Sequence, residues 1–328
     1  MSEILTLTMD VLMIMAVLFV VALGCGALAI AVMYVIDRNQ QTHAVRRNFP
    51  VIGRFRYWFE HLGEFFRQYF FAGDREELPF NRAQRSWVYR ASKNLKNTAA
   101  FGSTRDLKRE GTAIFLNCAF PKLDEEAEPI KSLTIGPGAR TPYTTDHCFH
   151  ISGMSYGALS QPAIRALSMG AKQAGIWLNT GEGGLAPWHL EGGCDLVFQI
   201  GTAKFGVRDE HGRLDDDKLC EIAAHEQVKM FEIKLAQGAK PGKGGILPQS
   251  KITAEVAEIR GVPRDRDAIS PNRHLEVANA DDLLDLIGRI REVTGRPTGC
   301  KLVLGQAGFM DNLCQAIHKR GFASGTGK

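Results

Sequence analysis

The residues best equipped for chemistry lie on four short segments bounded by glycine turns: HISGMSYGALS (150–160), LNTGEGG (178–184), QIGTAKFG (199–206) and IKLAQGAKPGKGG (233–245). The last gathers Lys234, Gln237, Lys240 and Lys243 around flexible glycines, and Arg260 follows one predicted helix later. Such a cluster suits a small dicarboxylate, because each carboxylate wants a charge-assisted or bidentate donor. For Lys243 or Arg260 taken alone, a solvated surface charge is the competing reading. The segment fails as a nucleotide phosphate loop. Five residues after Gly238 stands Lys243, where glycine is required, and no Ser or Thr follows the lysine. GMSYG offers something different: Gly153 permits close approach of a flat ring, and the amides of Met154 and Ser155 can reach its edge. A tight turn that needs glycine for its dihedrals explains the same letters.

Elements that could position these residues follow from the rhythm of the chain. Apolar runs rich in β-branched residues or Leu end in glycine turns, and several lead into helical patterns, which is the signature of strand, loop, helix, strand. Strands are expected at 148–153, 176–180, 196–200, 230–235, 268–270 and 298–304, and helices at 161–174, 250–260, 280–293 and 311–319. Between residues 219 and 232 no clean break separates helix from strand. A parallel sheet gathers its strand C-termini on one face, so Ser155, Glu182, Lys204, Gln237 and Lys240 can converge although they lie up to 85 residues apart. The expected fold is α/β, a (β/α)8 TIM-type barrel. Only six strands are read before Lys328, so the barrel is expected to be incomplete at the C-terminus, from truncation or from the need for another polypeptide.

The N-terminus is of another kind. Residues 11–36 carry no charge over 26 positions, enough to cross a hydrocarbon core of about 30 Å as a transmembrane helix. A cleaved signal is disfavoured, because Glu3 and Asp10 rather than basic residues precede the run. Arg38, Arg46, Arg47, Arg54 and Arg56 follow it, which places the N-terminus outside and the remainder in the cytoplasm. Phe55, Trp58, Phe59, Leu62, Phe65, Phe66, Tyr69 and Phe70 share one helix face. That face suits either the membrane interface or packing against the barrel. The expected plan is a tail (1–10), the membrane helix (11–36), a juxtamembrane helix and linker (37–98), leader strands and loops (99–146) with runs at 112–120 and 132–136, and the barrel (147–328).

With 45% hydrophobic and 23% charged residues the chain supports one large core, and a formal charge of +4 without a basic aromatic stripe gives no reason to propose nucleic acid. Seven cysteines, an odd number with no CxxC pair, suit free thiols in a reducing compartment, and no metal cluster is expected.

GMSYGALS, NTGEGG and KLAQGAKPGKGG, followed by SPNRH (270–274) and KLVLGQAG (301–308), resemble in content and order the flavin-binding synthase domain of glutamate synthases, over roughly residues 148–320. The stand-alone membrane-anchored members are most similar, sharing a hydrophobic start and a stretch like LPFNRAQRSWVYRASKN (78–94). The resemblance implies an FMN cofactor contacted by Gly153, Met154, Ser155, Gln199 and Lys301. It implies 2-oxoglutarate held by Gln237, Lys240 and Arg260, with Glu182 and Lys234 at the reaction. Ammonia and 2-oxoglutarate would condense to 2-iminoglutarate, reduced FMN would deliver hydride to the imine carbon, and Glu182 would manage protons. Two departures stand out: Ile246 where the family usually has Gln, and Lys204 where Arg is common. The cysteine triplet of the family's iron–sulfur cluster is not found, so no such cluster is expected. Neither an amidotransferase nucleophile nor a nicotinamide fingerprint is read, so ammonia would come from solution or a partner and electrons from an unidentified donor protein or the membrane. Two rivals remain, an FMN barrel acting on another 2-oxo or imino acid and a membrane-bound fragment that binds little.

Overall fold

The computed structural model describes residues 2–95, 103, 105–116, 118–128, 130–240 and 242–321. The chain divides into two compact units, Met1–Cys118 and Ala119–Lys328. The linker boundary expected near residue 98 and nearly all of the glycine-rich end, 322–328, lie outside the described residues.

In the first unit, α1 (Ser2–Asn39) outruns the uncharged stretch at both ends, and from Leu7 to Asn39 it is long and apolar enough to cross a membrane. Near its end Asp37 is only 1% exposed. Its carboxylate accepts a forked pair of bonds from Arg54, Nη2 to Oδ1 at 2.7 Å and Nε to Oδ2 at 2.8 Å, and a third from the Val51 N–H at 3.0 Å. Val51 sits at φ 63°, a value a β-branched residue adopts only under constraint. This knot sets the elbow through α2 (Ala44–Asn48) into α3 (Ile52–Phe66), which continues as a π-helical turn, Arg67–Phe71. Phe55, Trp58, Phe59, Tyr69 and Phe70 are all more than half exposed. Next, α4 (Arg82–Ser92) opens with Asn81 and Gln84 capping each other's backbone N–H groups. The run at 112–120, expected as a strand, forms none among its described residues. With Phe115 and Leu116 fully or largely exposed, it has no neighbouring strand to satisfy it.

The second unit opens with an antiparallel hairpin of β1 (Leu133–Ile135) and β2 (Tyr143–Thr145). The chain then runs through α5 (Gln161–Ala174), β3 (Leu178–Asn179), α6 (Pro187–Leu190), β4 (Leu196–Ile200), α7 (Asp216–Ala224) and β5 (Val228–Lys234). It continues with β6 (Ile246–Leu247), α8 (Ala254–Arg260), β7 (Ala268–Ile269), α9 (Ala280–Thr294), β8 (Thr298–Lys301) and α10 (Phe309–Lys319). The four-stranded sheet has the order β3-β4-β5-β8, and each of its pairs is parallel. The first expected strand contributes only Ile151, bridged in parallel to Leu178.

One expected strand goes elsewhere. β7 lies outside the parallel sheet and pairs antiparallel with β6, while β5 pairs directly with β8 through Ile233↔Cys300. Glycine permits this: a Cβ on Gly244 would fall 1.6 Å from the Ser270 carbonyl oxygen, and the Ser270 N–H donates to the Gly245 carbonyl at 2.8 Å. Among the described residues the sheet is therefore open.

The sheet separates two apolar layers. Leu178, Leu196, Phe198, Ile200, Phe231 and Ile233 pack with Leu219 of α7 and Leu283, Leu286 and Ile290 of α9. Val197 and Met230 meet Tyr143 of the hairpin, with Ile135 and Trp177 beside them. Phe198 is fully buried, edge-on to Phe231 at 5.8 Å between ring centroids. Phe198→Ala should cost about 3–5 kcal/mol, read as a lowered midpoint in urea with an unchanged slope.

Candidate active site

Strand β5 delivers the site. Its alternation sends Phe231 and Ile233 into the helix-covered layer, so Met230, Glu232 and Lys234 occupy the opposite face. At the strand's C-terminal end, Lys234 Nζ donates to Glu182 Oε1 at 3.0 Å and to Gln237 Oε1 at 2.9 Å. Gln237 Nε2 donates to the same Glu182 oxygen at 2.5 Å. Lys234 and Glu182 retain 16% and 18% side-chain exposure. Glu182 Oε2 is buried and has no partner among the described residues. Two glycines make the space around it. A Cβ on Gly201 would lie 2.5 Å from Oε2, and one on Gly245 would lie 3.3 Å from Gln237 Nε2.

Arg260, the last residue of α8, is 5% exposed. Its Nη2 donates to the Tyr156 carbonyl at 2.9 Å, its guanidinium lies 5.1 Å from the Phe205 ring centroid, and its Nε is buried without a partner among the described residues. Burial lowers its pKa, and the Glu182 charge opposes that shift. A Cβ on Gly183 would meet Arg260 Nη2 at 3.1 Å, so the glutamate loop and the arginine share tight space.

Other expected residues take different positions. Lys204, at φ 54°, is buried and its ammonium is paired with Glu276 at 3.1 Å. A buried ammonium has to be paired, and a residue 72 positions away meets that need. Lys240, Lys243 and Lys301 are exposed, and their side chains make no hydrogen bond or ion pair among the described residues. The Met154 N–H, expected at a ring edge, instead donates to the Asn179 carbonyl at 3.0 Å, continuing the strand bridge begun at Ile151. The Ser155 turn packs on the glutamate turn, since a Cβ on Gly181 would lie 2.6 Å from the Ser155 nitrogen. Gly153 faces the side-chain amides of Asn179 and Gln199, each 3.2 Å from where its Cβ would be.

Sequence reasoning missed three polar residues beneath this surface. Glu232 Oε1 accepts from Asn179 Nδ2 at 2.8 Å and from Gln199 Nε2 at 2.6 Å. A single acid in the otherwise apolar run MFEIK was the available signal. His189, fully buried, donates from Nε2 to the Met154 carbonyl at 2.9 Å and accepts at Nδ1 from the Ala186 N–H at 3.1 Å. His274, also fully buried, donates from Nε2 to the Lys234 carbonyl at 2.9 Å, while its Nδ1 has no partner among the described residues. SPNRH pointed at His274 only as part of a pattern.

Residues 107–328 match the family model described as a conserved region in glutamate synthase. This chain belongs to the glutamate synthase family. It is 35% identical, over 95% of its length, to the glutamate synthase large subunit-like protein YerD of Bacillus subtilis, and covers 67% of that relative. It is 37% identical over 46% of its length to the archaeal-type glutamate synthase (NADPH) of Thermotoga maritima, and covers 28% of it. The archaeal glutamate synthase (NADPH) of Methanocaldococcus jannaschii is 38% identical over 44% of the chain, which covers 26% of that protein. The chain thus spans two thirds of the first relative and under a third of the other two. Of the two departures from the family pattern, Lys204 still fills a buried paired position, whereas Ile246 exposes an apolar side chain beside Gly245.

Burial holds the pKa of His189 and of His274 below the ordinary histidine value, with their backbone carbonyl partners opposing. The unfolded chain therefore takes up these protons first. Their contribution to stability is complete above about pH 6.5 and is lost as the pH falls below it. Urea midpoints should drop from about pH 7.5 to about pH 5.5. In a His189→Gln, His274→Gln double variant, less stable overall, that drop should shrink.

Proposed function

We propose that this chain is an FMN-dependent oxidoreductase of the glutamate synthase type, carrying out reductive amination of 2-oxoglutarate to glutamate through 2-iminoglutarate. The observation that carries this reading is the buried, unpartnered Glu182 Oε2, beside an ammonium and an amide already committed to Oε1. A carboxylate oxygen left so asks for a donor from a ligand. The unpartnered Nε of Arg260 makes the complementary request of an acceptor.

The residues present fit a flavin ring on the same face. Gly153 has no Cβ to hold a ring away from the Gln199 amide, and the Ser155 N–H donates to no group among the described residues. Gly153, Ser155, Gln199 and Lys301 would hold the cofactor, which when bound supplies the hydride. The chain's own residues do the remainder. Arg260, Lys240 and Gln237 bind and orient the two carboxylates of the substrate. Glu182 Oε2 carries two protons in turn from the ammonia nitrogen to the 2-oxo oxygen, the first as the C–N bond forms and the second as the C–O bond breaks, so that water leaves and the imine remains. Lys234, donating to Oε1, holds the carboxylate in place with Oε2 toward the substrate.

The strand–helix order supports a TIM-type (β/α)8 barrel for the whole domain. The 33-residue apolar stretch of α1 supports a single-pass membrane anchor, and the arginines after it support an outside N-terminus with the enzyme on the cytoplasmic side. Electrons would then reach the flavin from a separate donor protein. Ile246 favours a second reading, in which the same chemistry acts on another 2-oxo acid with a less polar end.

The test is to load the full chain with FMN in detergent, reduce it anaerobically with dithionite, and follow flavin reoxidation on adding ammonium and 2-oxoglutarate. Reoxidation with one glutamate formed per flavin is expected. A chain that holds no flavin overturns the proposal, and reoxidation by other 2-oxo acids alone moves it to the second reading. Glu182→Gln should lower the reoxidation rate by about 10²–10⁴ with little change in bound flavin.

A further inference from the structure

Beneath the reacting groups a second polar layer crosses the sheet, and its chemistry is fixed from below. Parallel register aligns Gln199 of β4 with Glu232 of β5, and Glu232 with Gly299 of β8. Gly299 leaves one side of Glu232 open, and Glu232 lines a cavity of 470 Å³ there with Met230, Arg291 and Cys300. On the other side, Oε1 receives both Asn179 Nδ2 and Gln199 Nε2. Asn179 has no freedom to turn, because its Oδ1 accepts from the Gly181 N–H at 2.9 Å and its amino group must therefore face Glu232. Gln199 has no such second tie. Its Oε1 makes no hydrogen bond among the described residues, and the amide lies against Gly153, 3.2 Å from the position a Cβ would take. Turned over, it would set an oxygen against the oxygen of Glu232. An ionised carboxylate only accepts, so Glu232 forces the amino group down and leaves the oxygen toward the site.

We infer that Glu232 is a positioning residue that sets Gln199 as a hydrogen-bond acceptor beside Gly153, so that the site selects a ligand offering an N–H there. The inference rests on the FMN reading, because the flavin's pyrimidine ring carries an imide N–H of this kind. Glu232 touches neither ligand nor substrate, and acts only through the amide it orients. With a neutral amide at position 232 the layer can reverse: that amide can donate to Gln199 Oε1, and Gln199 can then present Nε2 to the site. Preference for an N–H would vanish without any loss of packing volume.

The experiment compares the affinity of the full chain in detergent for FMN and for N3-methyl-FMN, which lacks that proton, by quenching of flavin fluorescence. The wild-type chain should prefer FMN by about tenfold, the worth of one net hydrogen bond to a committed acceptor. In Glu232→Gln the preference should fall to within about twofold, mostly through weaker FMN binding. Should that variant fail to fold, Gln199→Leu, which keeps Glu232 and removes the acceptor, should lose the same preference. A wild-type chain that binds both flavins equally, or variants that keep the full tenfold preference because the methyl group merely clashes, would overturn the inference and leave the FMN reading standing. A wild-type chain that binds neither flavin overturns the FMN reading, and this inference with it.

Discussion

Glu182 is a carboxylate largely withdrawn from water, and a charge in that position costs several kcal/mol unless it is paired and hydrogen-bonded. One of its oxygens is over-supplied, with an ammonium and an amide converging on it, while the other has no partner among the described residues. Much of the second unit can be understood as what keeps that imbalance in place. Lys234 cannot drift, because its strand is paired on both sides and its own carbonyl accepts from His274. Gln237 is held by the lysine it helps to orient. Glycines at 201 and 245 keep side chains out of the space next to the carboxylate. Larger residues at either position would fill the cavity or push the carboxylate aside, so the empty lone pair is maintained by omission as much as by contact.

A period of two along one strand then converts sequence into depth. Met230, Glu232 and Lys234 stand on the same face of β5, and each belongs to a different chemical layer. The lowest is apolar, closed by Tyr143 and Val197. The middle is an acid with two amides, and the uppermost is an ion pair with one oxygen left unsatisfied. Polarity rises toward the strand's C-terminal end, where the loops converge. The gradient is physically necessary: an amide layer can be satisfied inside the sheet, whereas the charged layer needs access to solvent or ligand.

Local signals in the sequence carried much of this arrangement. Helix α5 ends at Gly175 and α9 at Gly295, both left-handed glycines, and α9 starts where Asn279 caps it and Asp281 and Asp282 sit in the first turn. The break between α7 and β5, unreadable in a single apolar run, lies at residues 225–227. Convergence of Glu182 and Gln237 followed from the strand–loop order, because adjacent parallel strands bring their ends together wherever they fall in the chain. Non-local choices were not legible. Nothing near residue 268 says that β7 will take β6 as its partner and leave β5 to β8. Lys204 reads like Lys234 in one dimension, and only the arrival of Glu276 assigns it a structural place. Glu232 is a variant of the same problem, since its meaning lies in amides 53 and 33 residues away.

Asp37 applies the same logic to the first unit. An acid near the end of a long apolar helix is an unfavourable group to bury, yet it is almost wholly covered, with Arg54 and the Val51 N–H consuming both of its oxygens. The bonds span 14 and 17 residues of chain, so they tie the end of α1 to the first turn of α3 and leave little freedom in the segment between. Gly53, whose Cβ would lie 2.9 Å from the Val45 carbonyl oxygen, lets the two short helices approach closely enough for the knot to form. The direction in which the aromatic face of α3 leaves the apolar helix is therefore fixed by one ionic interaction. Whatever medium receives α1, the aromatic helix must enter its surroundings at an angle already chosen by Asp37.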